Sequence, residues 1–176
     1  MNYIYAGIGS RETPKDVLDL FYKIGKALAK KNFTLRSGHA DGSDIAFENG
    51  CDSVNGDKEI WLPWKGFNNS TSKYIISNDS KAYGYAEENI QGFKYIKSQG
   101  AKKCIARDVL QVLGEDLNIL VDFVVCWTEG GKLKGGTRHA INISNQNNIP
   151  VFNRGSYNDD ESFINDLKDF LDKNYK

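Results

Sequence analysis

The sequence has few cysteines, histidines and prolines, and it has no long apolar run. Its 176 residues include three cysteines, two histidines and three prolines. The cysteines are odd in number and none forms a CxxC pair, which disfavours a disulfide framework and a zinc site and favours a reducing compartment. No stretch is typical of a signal peptide or a membrane-spanning helix, so we expect a cytoplasmic protein with no membrane partner.

The chain also lacks an excess of charge and the common catalytic motifs. Lysine and arginine total 23, aspartate and glutamate also total 23, and the formal net charge is zero. No global field therefore favours nucleic acid or an anionic membrane, although a local basic patch remains possible. Walker A, HExxH, GxSxG and paired-histidine patterns are absent. Phosphotransfer, metalloproteolysis and hydrolase-triad chemistry are not supported, and we predict no metal and no cofactor.

Strand-like and helix-like segments alternate along the chain, whose length suits one domain spanning residues 1–176. This alternation implies right-handed crossovers between parallel strands. We therefore predict an α/β fold, three-layered and Rossmann-like, with a mostly parallel sheet of about five strands and helices on both faces. The polar stretch over residues 64–80 predicts a long surface loop.

Two helix boundaries can be predicted in detail. Thr13 and Pro14 suit a helix start, with threonine as the N-cap and proline at the first helical position. Apolar spacing over residues 83–93 predicts a helix that ends near Gly100, and a second helix is predicted over residues 103–113.

Three glycine-rich turns each follow a strand-like run and precede a helix-like run. Glycine lets backbone N–H groups approach a ligand closely, and a helix N-terminus adds unpaired donors and a positive dipole. Because ligands of such sheets bind at the carboxyl ends of the strands, the turns predict a pocket for phosphate or ribose. The predicted ligand-binding residues are Gly7, Gly9, Ser10, Arg11, Ser37, Gly38, Asp41, Gly42, Ser43, Asp44, Trp127, Gly135, Gly136 and Thr137.

Several of these residues have two possible roles. Arg11 could hold a phosphate through a two-pronged contact or lie on the surface. Asp44 could bind a ribose hydroxyl or interact favourably with the dipole of the helix that it begins. Trp127 could stack on a base or pack in the core. His39 could contact the ligand or act as an acid–base group, or it could be a solvated turn residue.

Stretches that span nearly the whole chain resemble the superfamily often called SLOG. This superfamily unites DNA-processing protein A, the Lonely-guy cytokinin-activating enzymes and related nucleotide sensors. The likeness is closest to short, phage-type relatives of the DNA-processing protein. It implies a Rossmann-like fold with a nucleotide or nucleic-acid phosphate at the glycine turns, and a homo-oligomer. The matching stretches are YAGIGSR (5–11), LRSGHADGSD (35–44), IWLPW (60–64), ARDVLQVLG (106–114), VCWT (125–128), GGT (135–137) and IPVFN (149–153).

The sequence departs from the Lonely-guy branch of this superfamily. Those enzymes hydrolyse a nucleoside monophosphate with a glutamate three residues beyond the Gly-Thr pair of a PGGxGTxxE motif. Here Ala140 holds that place, and Lys134 stands where the motif has proline. Glycosidic hydrolysis by that mechanism is therefore disfavoured, although Asp44 or Glu48 could substitute as the catalytic carboxylate.

The DNA-processing branch binds single-stranded DNA through basic residues. A neutral chain is poorly suited to this, since affinity for the DNA backbone scales with the number of phosphates neutralised. Arg11, Arg36 and Lys65 are the residues that could form a local basic track.

We therefore predict a binding module, rather than an enzyme, for a small nucleotide that is ADP-ribose-like or another nucleotide signal. By analogy with phage-type relatives, it would sense or sequester a nucleotide signal of host defence. The alternatives are a nucleoside or nucleotide N-glycosidase and a recombination mediator that binds single-stranded DNA.

Overall fold

The computed structural model describes residues 3–175, and a five-stranded sheet lies at its centre. The strands are β1 (Ile4–Gly7), β2 (Thr34–Ser37), β3 (Lys58–Ile60), β4 (Phe123–Cys126) and β5 (Val151–Asn153). They are hydrogen-bonded in the order β3-β2-β1-β4-β5, and every pair is parallel. The predicted α/β class and parallel five-stranded sheet are confirmed.

Six helices connect or follow the strands. They are α1 (Lys15–Lys30), α2 (Ser43–Asp52), α3 (Lys81–Asn89), α4 (Gln99–Leu113), α5 (Thr137–Gln146) and α6 (Asp160–Asn174). Short 3-10 turns lie at Phe67–Asn69, Phe93–Tyr95, Glu129–Gly131 and Arg154–Ser156. Among residues 3–175, no helix combines the length and apolar character needed to cross a membrane.

The helices cover both faces of the sheet, as predicted. Successive side chains of a strand point to opposite faces. Ile4 and Ala6 of β1 therefore pack in one buried cluster with residues of α3, α4 and α5. Tyr5, between them, packs in a second cluster with α1, α2 and α6. This division gives three layers, with α4 and α5 on the same side of the sheet.

The predicted start of the first helix is wrong by one position. Pro14, not Thr13, occupies the N-cap position of α1, and no side chain caps this end. The Thr13 hydroxyl instead donates to the Ser10 carbonyl at 2.6 Å and lies 2.7 Å from Ser43 Oγ. Thr13 therefore joins the turn after β1 to the start of α2.

The predicted division between α3 and α4 is also wrong. α3 ends at Asn89, because Ile90 has an extended backbone and Gly92 a positive φ of 80°. α4 then begins at Gln99, four residues before the predicted start, and the Ser98 hydroxyl caps it by accepting from Ala101 N. The polar stretch over residues 64–80 forms a long connection with one short 3-10 turn, as predicted.

The order of the strands reverses between β1 and β4, where chain connections leave the sheet in opposite directions. Parallel sheets of this kind bind ligands in the crevice outside such a switch point. Backbone hydrogen bonds extend the β1–β4 pairing past the strand ends, from Ile8 N to Val125 O at 3.1 Å and from Ser10 N to Trp127 O at 3.3 Å. The first and third glycine turns are therefore held side by side.

Candidate functional site

A cleft of about 690 Å³ opens at the switch point between β1 and β4. Its walls are the turn after β1, the segment from Trp127 into the first turn of α5, and one face of α4. Eight of the predicted ligand-binding residues line it: Gly9, Ser10, Arg11, Asp44, Trp127, Gly135, Gly136 and Thr137. The structure therefore brings residues from all three glycine turns to one cavity.

The other predicted residues lie behind the cleft wall or beside it. Ser37 is fully buried, and its hydroxyl donates to the Gly7 carbonyl at 2.6 Å. A Cβ on Gly7 would lie within 3.0 Å of the Phe47 ring, so close packing, not ligand approach, accounts for this glycine. Asp41 is exposed and accepts from Asn68 Nδ2 at 3.0 Å.

Gly42 and Ser43 support the turn after β1 from the second glycine turn, whereas Gly38 lies against Arg107 and Gln111 of α4. Gly42 has a φ of 89°, which favours glycine, and a Cβ there would lie within 3.0 Å of the Ser10 carbonyl oxygen. Ser43 is buried against Gly9, whose Cβ would clash with the serine side chain. Gly42 and Ser43 therefore hold Gly9, Ser10 and Arg11 in place at the cleft, although neither of them lines it.

The lining of the cleft carries unpaired positive charge. Arg11 and Arg138 are exposed and line the cleft, and within residues 3–175 neither lies within ion-pair distance of a carboxylate. Lys134 also lines the cleft, but it pairs with Glu129 at 2.5 Å. Guanidinium groups without a carboxylate partner are available to an anionic ligand.

The N-terminus of α5 also lines the cleft. Gly136 occupies the N-cap position, and within residues 3–175 no side chain caps this ten-residue helix, whose His139 N donates to the Gly136 carbonyl at 3.1 Å. Gly135 and Gly136 are exposed, and a Cβ on either would meet nothing within 4 Å. The start of α5, with the positive end of its helix dipole, therefore borders the cleft.

The opposite wall is a stripe of α4. Ala101, Cys104, Ile105, Asp108 and Gln111 line the cleft at intervals of three and four residues, which places them on one face of the helix. The stripe is apolar near the start of the helix and polar at Asp108 and Gln111. Polar groups deep in an otherwise apolar wall are typical of ligand pockets.

Arg107 anchors this wall to the ends of β2 and β3. Its Nη1 donates to the Gly38 carbonyl at 2.7 Å and to the Trp61 carbonyl at 3.2 Å, and its Nε pairs with Asp108 at 3.1 Å. The guanidinium lies 5.6 Å from the centre of the Phe67 ring. Only 6% of Arg107 is exposed, so its charge is largely committed to the protein.

Two buried carboxyl groups face the cleft with perturbed pKa values. Burial raises the pKa of Asp44 to about 6, although the Arg107 charge and hydrogen bonds from the backbone of Ala40, Gly9 and Gly38 oppose the shift. Burial raises the pKa of Asp108 to about 7, where Arg107 again opposes the shift and the Asp44 charge adds to it. Both groups therefore change protonation near neutral pH.

Glu48, the other predicted catalytic carboxylate, lies outside this cleft. It accepts from His39 Nδ1 at 2.5 Å and from Lys58 Nζ at 2.8 Å. Glu48 and Lys58 line a separate hollow of about 230 Å³. The hypothesis of a catalytic role for Glu48 or a ligand contact for His39 therefore does not apply to the main cleft.

The hypothesis that Arg36 joins a basic track is wrong. Arg36 is 3% exposed, pairs with Glu59 at 2.5 Å and donates to the Ile119 carbonyl at 2.5 Å. Its guanidinium is used inside the protein, where an incoming phosphate would not reach it. Arg11 and Lys65 are exposed.

The three tryptophans have different environments. Trp127 is half-buried, lines the cleft and packs against the core cluster that contains Tyr5. Trp61 is 4% exposed and packs in the core with Tyr74, their ring centres 5.4 Å apart. Trp64 is 41% exposed and meets Phe67 edge-on.

No protein-family model matches the chain, and no curated protein sequence matches it either. Among solved structures, DNA processing protein A from Helicobacter pylori, which binds single-stranded DNA, superposes with a TM-score of 0.56 at 18% sequence identity. The match covers 86% of this chain and 64% of that chain. This chain has the fold of DNA processing protein A.

The Moco carrier protein of Chlamydomonas reinhardtii shares the same fold. It superposes with a TM-score of 0.54 at 16% identity, over 97% of this chain and 87% of that chain. The Rossmann-like fold implied by the sequence resemblance is confirmed. The chain spans less than two thirds of the DNA processing protein A structure that it matches.

Sequence reasoning missed the α4 side of the site. The ARDVLQVLG stretch contributed only to the resemblance, and no ligand role was predicted for Asp108 or Gln111. The sequence does contain a signal for them. Asp108 and Gln111 continue the three- and four-residue spacing of Ala101, Cys104 and Ile105, so two polar residues fall on an otherwise apolar helix face. His139, for which no role was predicted, also lines the cleft, and burial lowers its pKa, with the Arg138 charge adding to the effect.

Proposed function

We propose that the chain binds a small phosphate-bearing ligand of the nucleotide type in the cleft between β1, α4 and α5. The observation that carries this proposal is that two cations without carboxylate partners and a helix N-terminus without a side-chain cap line the same cleft. Arg11 comes from the turn after β1, and Arg138 from the first turn of α5. Two guanidinium groups and a helix N-terminus match the charge and geometry of a phosphate.

The size of the cleft supports a ligand larger than inorganic phosphate. Pockets for small molecules and cofactors typically enclose about 300–1,000 Å³. The volume of about 690 Å³ lies within this range. We extend the proposal to a nucleotide such as ADP-ribose, which the protein would sense or sequester as a signal of host defence. That extension rests on the resemblance to phage-type relatives and on the alanine in place of the Lonely-guy glutamate.

A second candidate function is hydrolysis of an N-glycosidic bond. The observation that favours it is the pair of cleft-facing carboxyl groups, Asp44 and Asp108, whose pKa values are raised to about 6 and about 7. Carboxyl groups that titrate near neutral pH can act as a general acid or base. This activity would release free base from a bound nucleotide.

A nucleotide panel separates these functions. Purified protein is mixed with ADP-ribose, nucleoside monophosphates and a single-stranded oligonucleotide; binding is measured by calorimetry, and the ligand is then recovered and analysed by chromatography. Intact ligand after binding supports the proposal, and free base supports the hydrolase. Binding of the oligonucleotide alone, with a steep loss of affinity as salt rises, would replace both with the DNA-binding alternative.

Arginine variants test the phosphate contact itself. Arg11→Ala and Arg138→Ala should each weaken nucleotide binding about 10- to 100-fold, as expected for loss of a charge-assisted hydrogen bond. Lys168→Ala is the matched control, because it removes an exposed cation from α6 on the other face of the sheet. Unchanged affinity in both arginine variants would refute the proposed phosphate site.

A further inference from the structure

We propose that Asp108 and Gln111 of α4 form a base-recognition subsite, which binds the hydrogen-bonding edge of the nucleobase while Arg11, Arg138 and α5 hold the phosphate. This inference rests on the proposed function and assigns a second part of the same ligand to a second part of the cleft.

A buried amide with an unsatisfied donor carries the argument. Gln111 lines the cleft and is only 1% exposed, and its Nε2, which lies against Gly38 near Arg107 Nη1, has no hydrogen-bond partner among residues 3–175. A buried amide without a partner is costly, with a typical penalty of about 1–3 kcal/mol. Native proteins seldom leave such a group without use, and a ligand acceptor would satisfy it.

The neighbouring carboxyl supplies the complementary group. Asp108 lies three residues before Gln111, hence on the same face of α4, and its side chain is 14% exposed. Arg107 Nε pairs with only one of its oxygens, Oδ1. Asp108 thus supplies an acceptor and Gln111 an amide with an unused donor, three residues apart on one face of α4. The edges of nucleobases carry the matching donor and acceptor on neighbouring atoms.

The surroundings favour a base over a sugar. Ala101, Cys104 and Ile105 of α4 line the cleft before the polar pair, and Phe67 and Trp127 also line it, while Arg107 lines it as the partner of Asp108. A nucleobase has two apolar faces and a polar edge, so it matches polar groups set in an apolar wall. A ribose carries hydroxyl groups around its ring and would leave some of them against apolar side chains.

The experiment compares ligands with and without a base. Affinities of AMP, GMP, UMP, CMP and ribose 5-phosphate are measured by calorimetry for the wild type and for Gln111→Met. We expect the wild type to bind at least one nucleotide more than tenfold tighter than ribose 5-phosphate. In Gln111→Met most of this ratio of the two affinities should be lost. Gln91→Met, which alters an exposed glutamine outside the cleft, should keep it.

Folding of the variant is checked by thermal unfolding without ligand. Because Gln111→Met replaces an unsatisfied buried amide with an apolar side chain of similar size, the melting temperature should stay unchanged or rise. A clear fall would show that the amide has a structural partner, and it would count against the inference. Asp108→Asn provides a second variant, since an amide in place of the carboxyl should change the order of preference among the four nucleotides.

The outcomes separate the two proposals. A wild type that binds neither ribose 5-phosphate nor any nucleotide would refute the proposed function and the subsite together. A wild type that binds ribose 5-phosphate and all four nucleotides equally would refute the subsite alone. The same conclusion follows if Gln111→Met and Asp108→Asn keep the full base-dependent ratio and the same order of preference.

Discussion

The carboxyl groups of Asp44 and Asp108 face one cleft from two different helices, and the charge of Asp44 raises the pKa of Asp108. Asp44 is in the first turn of α2, whereas Asp108 is in the middle of α4. Arg107, which pairs with Asp108, offsets part of the cost of ionising either group. The net charge of the cleft therefore becomes more negative as pH rises through about 6 to 7.

The raised pKa of Asp108 predicts a pH-dependent stability. Between the ordinary aspartate value of about 3.9 and the folded value of about 7, the folded protein binds a proton more tightly than the unfolded chain does. The free energy of unfolding should therefore fall as pH rises through this window. In Asp108→Asn this contribution is absent, so the stability of the variant relative to wild type should rise by about 1–3 kcal/mol between pH 4 and pH 8.

Urea unfolding at a series of pH values measures this difference. Asp116→Asn is the matched control, because Asp116 is 64% exposed and should show little change of relative stability over the same range. A relative stability of Asp108→Asn that does not vary with pH would contradict the prediction.

Two glycines of the cleft should respond differently to alanine. A Cβ on Gly9 would lie within 3.0 Å of the Ser43 side chain, which is buried and hydrogen-bonded to Thr13, so Gly9→Ala should cost about 1–3 kcal/mol of stability. Gly136 has helical φ and ψ angles and open space around it, so Gly136→Ala should fold with wild-type stability. Its methyl group would enter the cleft and weaken nucleotide binding.

Chemical denaturation and ligand titration of the two glycine variants test these expectations. A stable Gly9→Ala would mean that the turn after β1 can move away from α2. Wild-type affinity in Gly136→Ala would place the phosphate away from the start of α5.

The close contact between α1 and α2 should depend on Gly50. A Cβ on this residue would lie within 3.0 Å of the Tyr22 carbonyl oxygen in α1, a backbone atom that cannot rotate away. Gly50→Ala should therefore destabilise the protein by about 2–3 kcal/mol through overpacking. Gly84→Ala in α3 is the control, because nothing lies within 4 Å of its Cβ, and alanine there should add about 0.5–1 kcal/mol. Equal stability of the two variants, measured by urea unfolding, would contradict this account.

Replacing Arg107 should release the α4 wall from the strand ends. Arg107→Met removes the hydrogen bonds to the Gly38 and Trp61 carbonyls and the partner of Asp108, and it should cost about 2–4 kcal/mol. Arg154→Met removes a pair with the half-exposed Asp160 and should cost about 1 kcal/mol or less. A similar small loss in both variants by urea unfolding would show that Arg107 does not anchor α4.

Most of the fold could be predicted from the spacing of apolar residues over short stretches of the sequence. The apolar run that contains β4 is buried on both faces and so lacks alternation, which is typical of a central parallel strand. The α3–α4 boundary could not be placed in the same way, because the apolar spacing over residues 83–93 continues past the true helix end at Asn89. Backbone conformation at Ile90 and Gly92, not hydrophobic period, ends α3.

The sequence could not predict which of Asp44 and Glu48 faces the cleft. Both are buried carboxylates in α2, one helical turn apart, and the sequence offers no means of ranking them. Asp44 lies at the end of the helix that meets β1 and faces the cleft. Glu48 is held by Lys58 and His39 beside another hollow.

The sequence by itself determined the alternation of strands and helices and the glycine turns at the strand ends, because both depend on hydrophobic period and backbone freedom over a few neighbouring residues. The tertiary structure decided which turns meet, that α4 supplies the polar wall, and that Arg36 and Glu48 are used elsewhere. Those outcomes depend on strand order and helix packing, which join residues far apart in the chain, so no local pattern contains them.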